Sequence, residues 1–454
     1  MREDARLVVS LRRRVSALGE KVFPSHWSFL LGELALFCFA VLVLTGLYLA
    51  WFYEPSSEVV VYQGSHDPLA GVEMTAAYAS VIEITFDTPA GAIVRQTHHW
   101  AAVVFVGVLV LHVGRVFFTG AYRRPRRLNW LVGLSLLALA LTAGFFGLAL
   151  PHDTLGGTGS RIGYAFATSI PVVGTGVAEV VFDGELTGEG MLPRIWLLHV
   201  IIIPLTMAGL LGLHLLLVFR QSHTQFASTD RPERDADPDD EEREVRGTRA
   251  WPTHALTMAS LFAITAGVLL GLGAIVQIAP VWLYGPYDPA VASVPAQPDW
   301  YLGWVEGALR ILPGVDLRLA GGEVPSPFLT GVLLSLVVFT VLAVWPFLEA
   351  RVTRDRRSHH LLQRPRDHPV RTAVGTGGVV ALAVLLMAGS HDLQAMILDV
   401  HIDSVTTTYR VALFIGPVVA GLLAYRTCRD LAATEADRSG VLATGEPLDV
   451  EQTR

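Results

Sequence analysis

The sequence predicts an all-α integral membrane protein with eight transmembrane helices, the first four forming one bundle. Three observations carry that expectation. Of 454 residues, 52% are hydrophobic and only 17% charged, which excludes an ordinary soluble domain. Eight apolar runs suit helices crossing a hydrocarbon layer of ~30 Å at ~1.5 Å per residue. The loops between them alternate in Lys and Arg content. A net charge of −7 adds little, because the acid is concentrated in one loop, and no basic face points to nucleic acid.

The elements follow in order. Residues 1–28 contain Arg12, Arg13, Arg14 and Lys21 and lack the apolar core of a cleavable signal, so they read as a basic amphipathic surface helix. The spans are expected near 29–52, 96–118, 130–150 and 194–219, then 251–279, 327–347, 372–388 and 411–425. An acidic linker over 230–250 separates a four-helix unit, 29–229, from a second membrane region, 251–427, followed by a tail, 428–454. Basic residues crowd the loop after the second span (Arg123, Arg124, Arg126, Arg127), the linker, and the stretch from Arg351 to Arg371. The alternate loops, 53–93, 151–193, 280–326 and 390–408, contain few Arg and no Lys. Both termini are therefore expected in the cytoplasm, with the protein in the cell membrane.

The second span carries His98 and His112, fourteen residues apart. On an α-helix that places them within ~40° of one face and ~21 Å apart along the axis. The fourth span carries His199 and His214, fifteen apart, hence ~22 Å and ~60°. A lone intramembrane His is more often a packing residue, and His99, ~100° round from His98, reads that way. Two matched pairs on two helices describe instead two stacked bis-imidazole metal sites. Zinc fits poorly, since no Cys or carboxylate stands a turn away to complete a tetrahedron. Axial ligation of haem fits: His98 with His199 for an outer haem, His112 with His214 for an inner one. With Cys38 and Cys428 as the only cysteines and no CxxCH, both haems would be non-covalent b-type groups, and no four-Cys iron–sulfur cluster is encoded.

Gly32 and Gly46 on the first span, and Gly133 and Gly147 on the third, repeat the fourteen-residue period. Small-residue packing explains any one of them, but the shared period suggests room for a flat porphyrin edge at each depth. Arg95, Arg115 and Arg194 lie at interfacial depths that suit haem propionates, or ordinary snorkelling.

These features, with HHW(x)₁₀LHVGR at 98–115 and PDWYLGWVEGALRILPG at 298–314, resemble the cytochrome b subunit of quinol–cytochrome c reductases, over roughly Phe23 to Arg426. Phrases such as KVFPSHWSFLLGE, RVFFTGAYRRPR and SHTQF are similar to the actinobacterial branch. The resemblance implies a translocating reductase with an outer quinol-oxidation site at Pro298, Asp299, Trp300 and Tyr301, where the family usually has Glu in place of Asp299. There Asp299 would accept a proton and Tyr301 border the pocket. A semi-buried carboxylate can take a quinol proton and swing to water; capping the next helix is the rival role for Asp299. An inner quinone site is implied near Arg220, His223 and His254, although Thr257–Met258 stand where the family commonly has Lys. Leu30 replaces the Cys that a third, plastid-type haem requires, so two haems are implied. Menaquinone as substrate, a Rieske-type iron–sulfur subunit, a cytochrome c subunit, a homodimer and association with a terminal oxidase complete the implied setting.

Two other readings have less in the sequence behind them. A transporter with structural histidines would show inverted repeats or broken midplane helices. A dihaem electron conduit without quinol bifurcation would leave PDWY unexplained.

Overall fold

A computed structural model describes residues 19–24, 26–186, 188–226, 247–290, 297–319 and 322–444. The expected N-terminal surface helix and nearly all of the acidic linker fall outside these residues.

All eight expected spans are helices long and apolar enough to cross a membrane. The helices are α1 Leu30–Phe52, α2 Ala76–Phe86, α3 Gly91–Phe118, α4 Arg127–Ala149, α5 Thr154–Ser169, α6 Gly174–Phe182, α7 Met191–Trp196 and α8 Ile203–Arg220. After the linker come α9 Ala255–Ile275, α10 Gly303–Ile311, α11 Leu334–Thr353, α12 Pro369–Ala388, α13 His391–Leu398 and α14 Ile402–Thr444. The largest departure from expectation is α14. Its apolar core was expected to end near residue 425, but the helix runs on through charged residues, so the boundary drawn at 428 falls inside it. Hydropathy marks the part of a helix that suits lipid and is silent about a polar continuation.

Helices α1, α3, α4 and the α7–α8 rod form the first bundle, with α9 packed against α1 and α3. The α7–α8 rod is continuous but changes pitch: Leu197–Ile202 is π-helical and contains His199. Pro204, the second residue of α8, has no N–H for the Val200 carbonyl. One π turn accommodates one extra residue without rotating the face. The fifteen-residue interval from His199 to His214 then behaves like fourteen, matching the His98–His112 offset of ~40° rather than ~60°.

The upper end of the bundle, where His98 and Asp299 lie, is roofed by α2, α5, α6, α10 and the loops between them. The loop after α9 is stitched down at several points. Gln96 exchanges two hydrogen bonds of 3.0 Å with Ile278, and Trp100 Nε1 donates to Val276 O at 2.8 Å. Thr154 Oγ1 donates to Tyr284 O at 2.7 Å, and Tyr287 N to His152 O at 3.1 Å. Helix α10 lies so close to α12 that a Cβ on Gly307 would sit 1.8 Å from Leu385 O. These contacts set the position of Asp299, just ahead of α10.

At the lower end, Val22–Pro24 pairs antiparallel with Gly247–Arg249. Arg126 donates to the carbonyls of His359, Gln221 and Ser222, tying α4 to the loops after α8 and α11. His391 opens α13 and is 8% exposed.

Candidate functional site

Two cavities lie along the bundle axis, of about 270 Å³ at the upper end and about 380 Å³ at the lower. The upper is lined by His98 and His199, the lower by His112 and His214. Across the upper cavity the imidazole centroids stand 6.2 Å apart, and across the lower 6.5 Å. Two metal–imidazole bonds of about 2.0 Å, with about 1.1 Å from each nitrogen to its ring centre, require about 6.2 Å.

The hydrogen bonds of the upper pair select the tautomer that can ligate. Thr45 Oγ1 donates to Val41 O at 2.6 Å, so its oxygen accepts from His98 Nδ1 at 2.9 Å. His199 Nδ1 donates to Ala143 O at 2.9 Å. Each Nδ1 therefore carries the proton and each Nε2 keeps its lone pair for a metal. Among the described residues the Nδ1 atom of His112 has no such partner.

The glycines match these rings one to one. A Cβ on Gly147 would stand 2.7 Å from His199 Cε1, and on Gly46 3.2 Å from His98 Cε1. On Gly32 it would meet His112 Cε1 at 3.5 Å, and on Gly133 His214 Cε1 at 3.5 Å. The missing side chains thus admit the imidazoles themselves, a closer reason than room for a ring edge.

Both cavities contain guanidinium groups with unused donors. Among the described residues, Arg95 Nε and Nη2 in the upper, and Arg115 Nε and Nη2 in the lower, are buried without hydrogen-bond partners. Unspent buried N–H groups are costly unless an acceptor arrives. Two imidazoles are too few donors for a bare ion, whereas a macrocycle supplies the remaining ligands, and its carboxylates suit the free guanidinium donors. The residues fit haem at both levels. Arg194 does not join them: it is spent on Asp183 and on the Glu179 and Val180 carbonyls.

The upper cavity also holds Asp299 and Tyr301. Asp299 occupies the cap position before Trp300–Leu302, yet its carboxylate makes no capping bond. Instead Oδ1 is 2.7 Å from His99 Nε2, and Oδ2 accepts from Tyr301 OH at 2.8 Å. Tyr301 is 3% exposed and fits because residue 144 is glycine, where a Cβ would lie 2.6 Å from the ring. Burial and the neighbouring Asp299 carboxylate push the Tyr301 phenol well above its ordinary value, so it serves as a donor. Pro298 and Trp300 are not in the cavity lining, and Trp300 is 39% exposed.

In the lower cavity His223 and His254 flank Phe23, whose ring is 4.7 Å from His223 and stacks on His254 at 4.4 Å. Burial, helped by Lys21 and Arg126, pushes His223 down to about 4, leaving a neutral imidazole. Arg220 is exposed and lies off the lining. Glu33, absent from the sequence expectations, lines this cavity near Arg115, and among the described residues its Oε2 has no partner. An acid inside an apolar span was the available signal for it.

A relative from Streptomyces coelicolor, "Cytochrome bc1 complex cytochrome b subunit", is 41% identical over 95% of this chain and 79% of its own length. The chain belongs to this cytochrome b family. A protein of the same description from Mycobacterium leprae is 42% identical over 94% of this chain and 75% of its own. Residues 103–286 match the family described as "Cytochrome b(N-terminal)/b6/petB". A solved structure entitled "Hyperthermophilic respiratory Complex III" shares the fold, with TM-score 0.64 and 20% identity over 93% of this chain and 98% of that one. Membership makes the chain a multi-pass cytochrome b subunit of a respiratory bc1 complex, with a haem-based cofactor and partner subunits.

Proposed function

We propose that the chain is the quinol-handling subunit of a proton-translocating quinol–cytochrome c reductase running a Q cycle. Menaquinol is oxidised in the upper cavity, facing the outside, and a quinone is reduced in the lower one, facing the cytoplasm, where both termini lie. When bound, two non-covalent b-type haems, at His98/His199 and His112/His214, supply one-electron carriers linking the two cavities. A Rieske-type iron–sulfur subunit and a cytochrome c subunit take the other electron, in a homodimeric complex that associates with a terminal oxidase.

The observation that carries this reading is the Asp299 carboxylate, held by His99 and Tyr301 in the same cavity as the His98–His199 gap. A carboxylate that caps nothing is available to accept a quinol proton. Tyr301 fixes one oxygen by donating to it, leaving the edge facing His99 for proton exchange. In the lower cavity, neutral His223 offers a hydrogen bond to a quinone oxygen without adding charge, and His254 lies across the Phe23 ring from it.

The test is addition of menaquinol to the purified complex while following its haem spectrum. Reduction of two spectrally distinct b-type groups supports the reading. Reduction by a strong chemical reductant but not by quinol, with all subunits present, would favour a bare electron conduit.

A further inference from the structure

Reducing a quinone to a quinol forms two O–H bonds and consumes two electrons and two protons. The lower cavity must therefore hold a proton that can be given up, and few of the groups lining it can do so. His223 is pushed by burial down to about 4 and is neutral. Burial pushes the Tyr122 phenol up, and its O–H is spent on Glu349 Oε2 at 2.7 Å. Arg126 is spent on three backbone carbonyls. His254 remains, stacked on the Phe23 ring at 4.4 Å, and so does Glu33.

Glu33 stands in the first turn of α1 and is the one carboxylic acid among the described residues that line this cavity. Its neighbour Gly32 is the glycine against His112, so Glu33 lies at the depth of the lower imidazole pair. Glu33 Oε2 is buried and has no hydrogen-bond partner among the described residues. The cation acting on it is Arg115, which stacks over the Phe29 ring at 4.3 Å and does not bond to Oε2. A structural ion pair would join the two groups. Here the guanidinium donors suit a haem carboxylate, and the Glu33 oxygen is left for a different partner. A carboxylate in a first turn also complements the helix dipole, but that role requires no burial. An acid inside an apolar span without a cation of its own favours the proton-carrying form.

We propose that Glu33 is a proton donor to the quinone reduced in the lower cavity. This rests on the quinone-reduction reading above. The Glu33 O–H bond breaks and its proton forms an O–H bond on one quinone oxygen. Two electrons arrive singly by way of the lower haem, and the second proton comes from water on the cytoplasmic side, which also reloads Glu33. Neutral His223 holds the quinone by a hydrogen bond and is not consumed.

The test uses the intact complex with the upper site inhibited, its haems reduced and excess reductant removed. Added menaquinone then oxidises the haems through the lower site alone. Glu33→Gln keeps the shape but carries no transferable proton. Haem content and bound menaquinone should match the wild type, while haem oxidation slows roughly 10²-fold; Glu33→Asp should recover much of the rate. Infrared difference spectra of the same step, with carboxyl-labelled glutamate, should show a label-sensitive carboxylic acid carbonyl band in the wild type that Glu33→Gln lacks. That band also tells a carboxylic acid from the His254 imidazole. A wild-type rate in Glu33→Gln, or the band retained there, would overturn the proposal. So would a wild-type spectrum without a label-sensitive acid band, a result that holds even if the variants fail to assemble. Wild-type haems that menaquinone does not oxidise would instead overturn the reading beneath it.

Discussion

His99 Nε2 and Asp299 Oδ1 lie 2.7 Å apart, joining the second span to the loop ahead of α10 across 200 residues of sequence. The neighbour of His98 thus touches the residue expected to receive the quinol proton. If His99 relays that proton, His99→Gln should preserve a hydrogen bond but slow quinol-driven haem reduction by roughly 10²-fold. Haem spectra should stay normal and the pH profile should change. An unchanged profile would reduce His99 to a spacer.

The ring pairs predict which haem each substitution removes. His98→Ala or His199→Ala should abolish the same spectral component, and His112→Ala or His214→Ala the other one. Redox difference spectra check this directly, and loss of different components within a pair would break the assignment.

Glycine substitutions should be graded by distance. Gly147→Ala puts a methyl 2.7 Å from the His199 ring and should disturb the upper haem, at an overpacking cost of about 1–3 kcal/mol. Gly32→Ala and Gly133→Ala meet their rings at 3.5 Å, ordinary contact, and should be tolerated. Haem content and redox titrations of the three variants provide the comparison. Equal effects at all three would mean that ring contact is not what selects glycine.

The facing histidine pairs and these glycines are legible in the sequence because a fourteen-residue period along apolar helices survives the details of packing. The spans are legible because eight apolar runs have few alternatives. The π turn at Leu197–Ile202 is not, since Pro204 announces a disturbance without saying how the helix absorbs it. His99 was read as packing because helical angle alone separates it from His98; its partner comes from a loop 200 residues away. Arg194 has the right depth for a propionate, but Asp183 lies nearer. Gly144 has no periodic partner, and only the fold brings Tyr301 against it.

At the lower cavity, His223 is held down to about 4. It is neutral above that value and gains charge only below it, so it stores no proton at neutral pH. Quinone reduction there should show no titration limb that His223→Asn removes between about pH 5 and pH 8. Quinone affinity should weaken instead. A lost limb within that range would make His223 a proton donor.

Asp299 offers the most direct measurement. Asp299→Asn keeps the shape and a hydrogen bond to Tyr301 but cannot take up a proton at neutral pH. Pre-steady-state haem reduction by menaquinol, with the lower site inhibited, should slow by ~10²-fold or more with haem content intact, and Asp299→Glu should retain most of the rate. A near-wild-type rate in Asp299→Asn would contradict proton acceptance at this carboxylate.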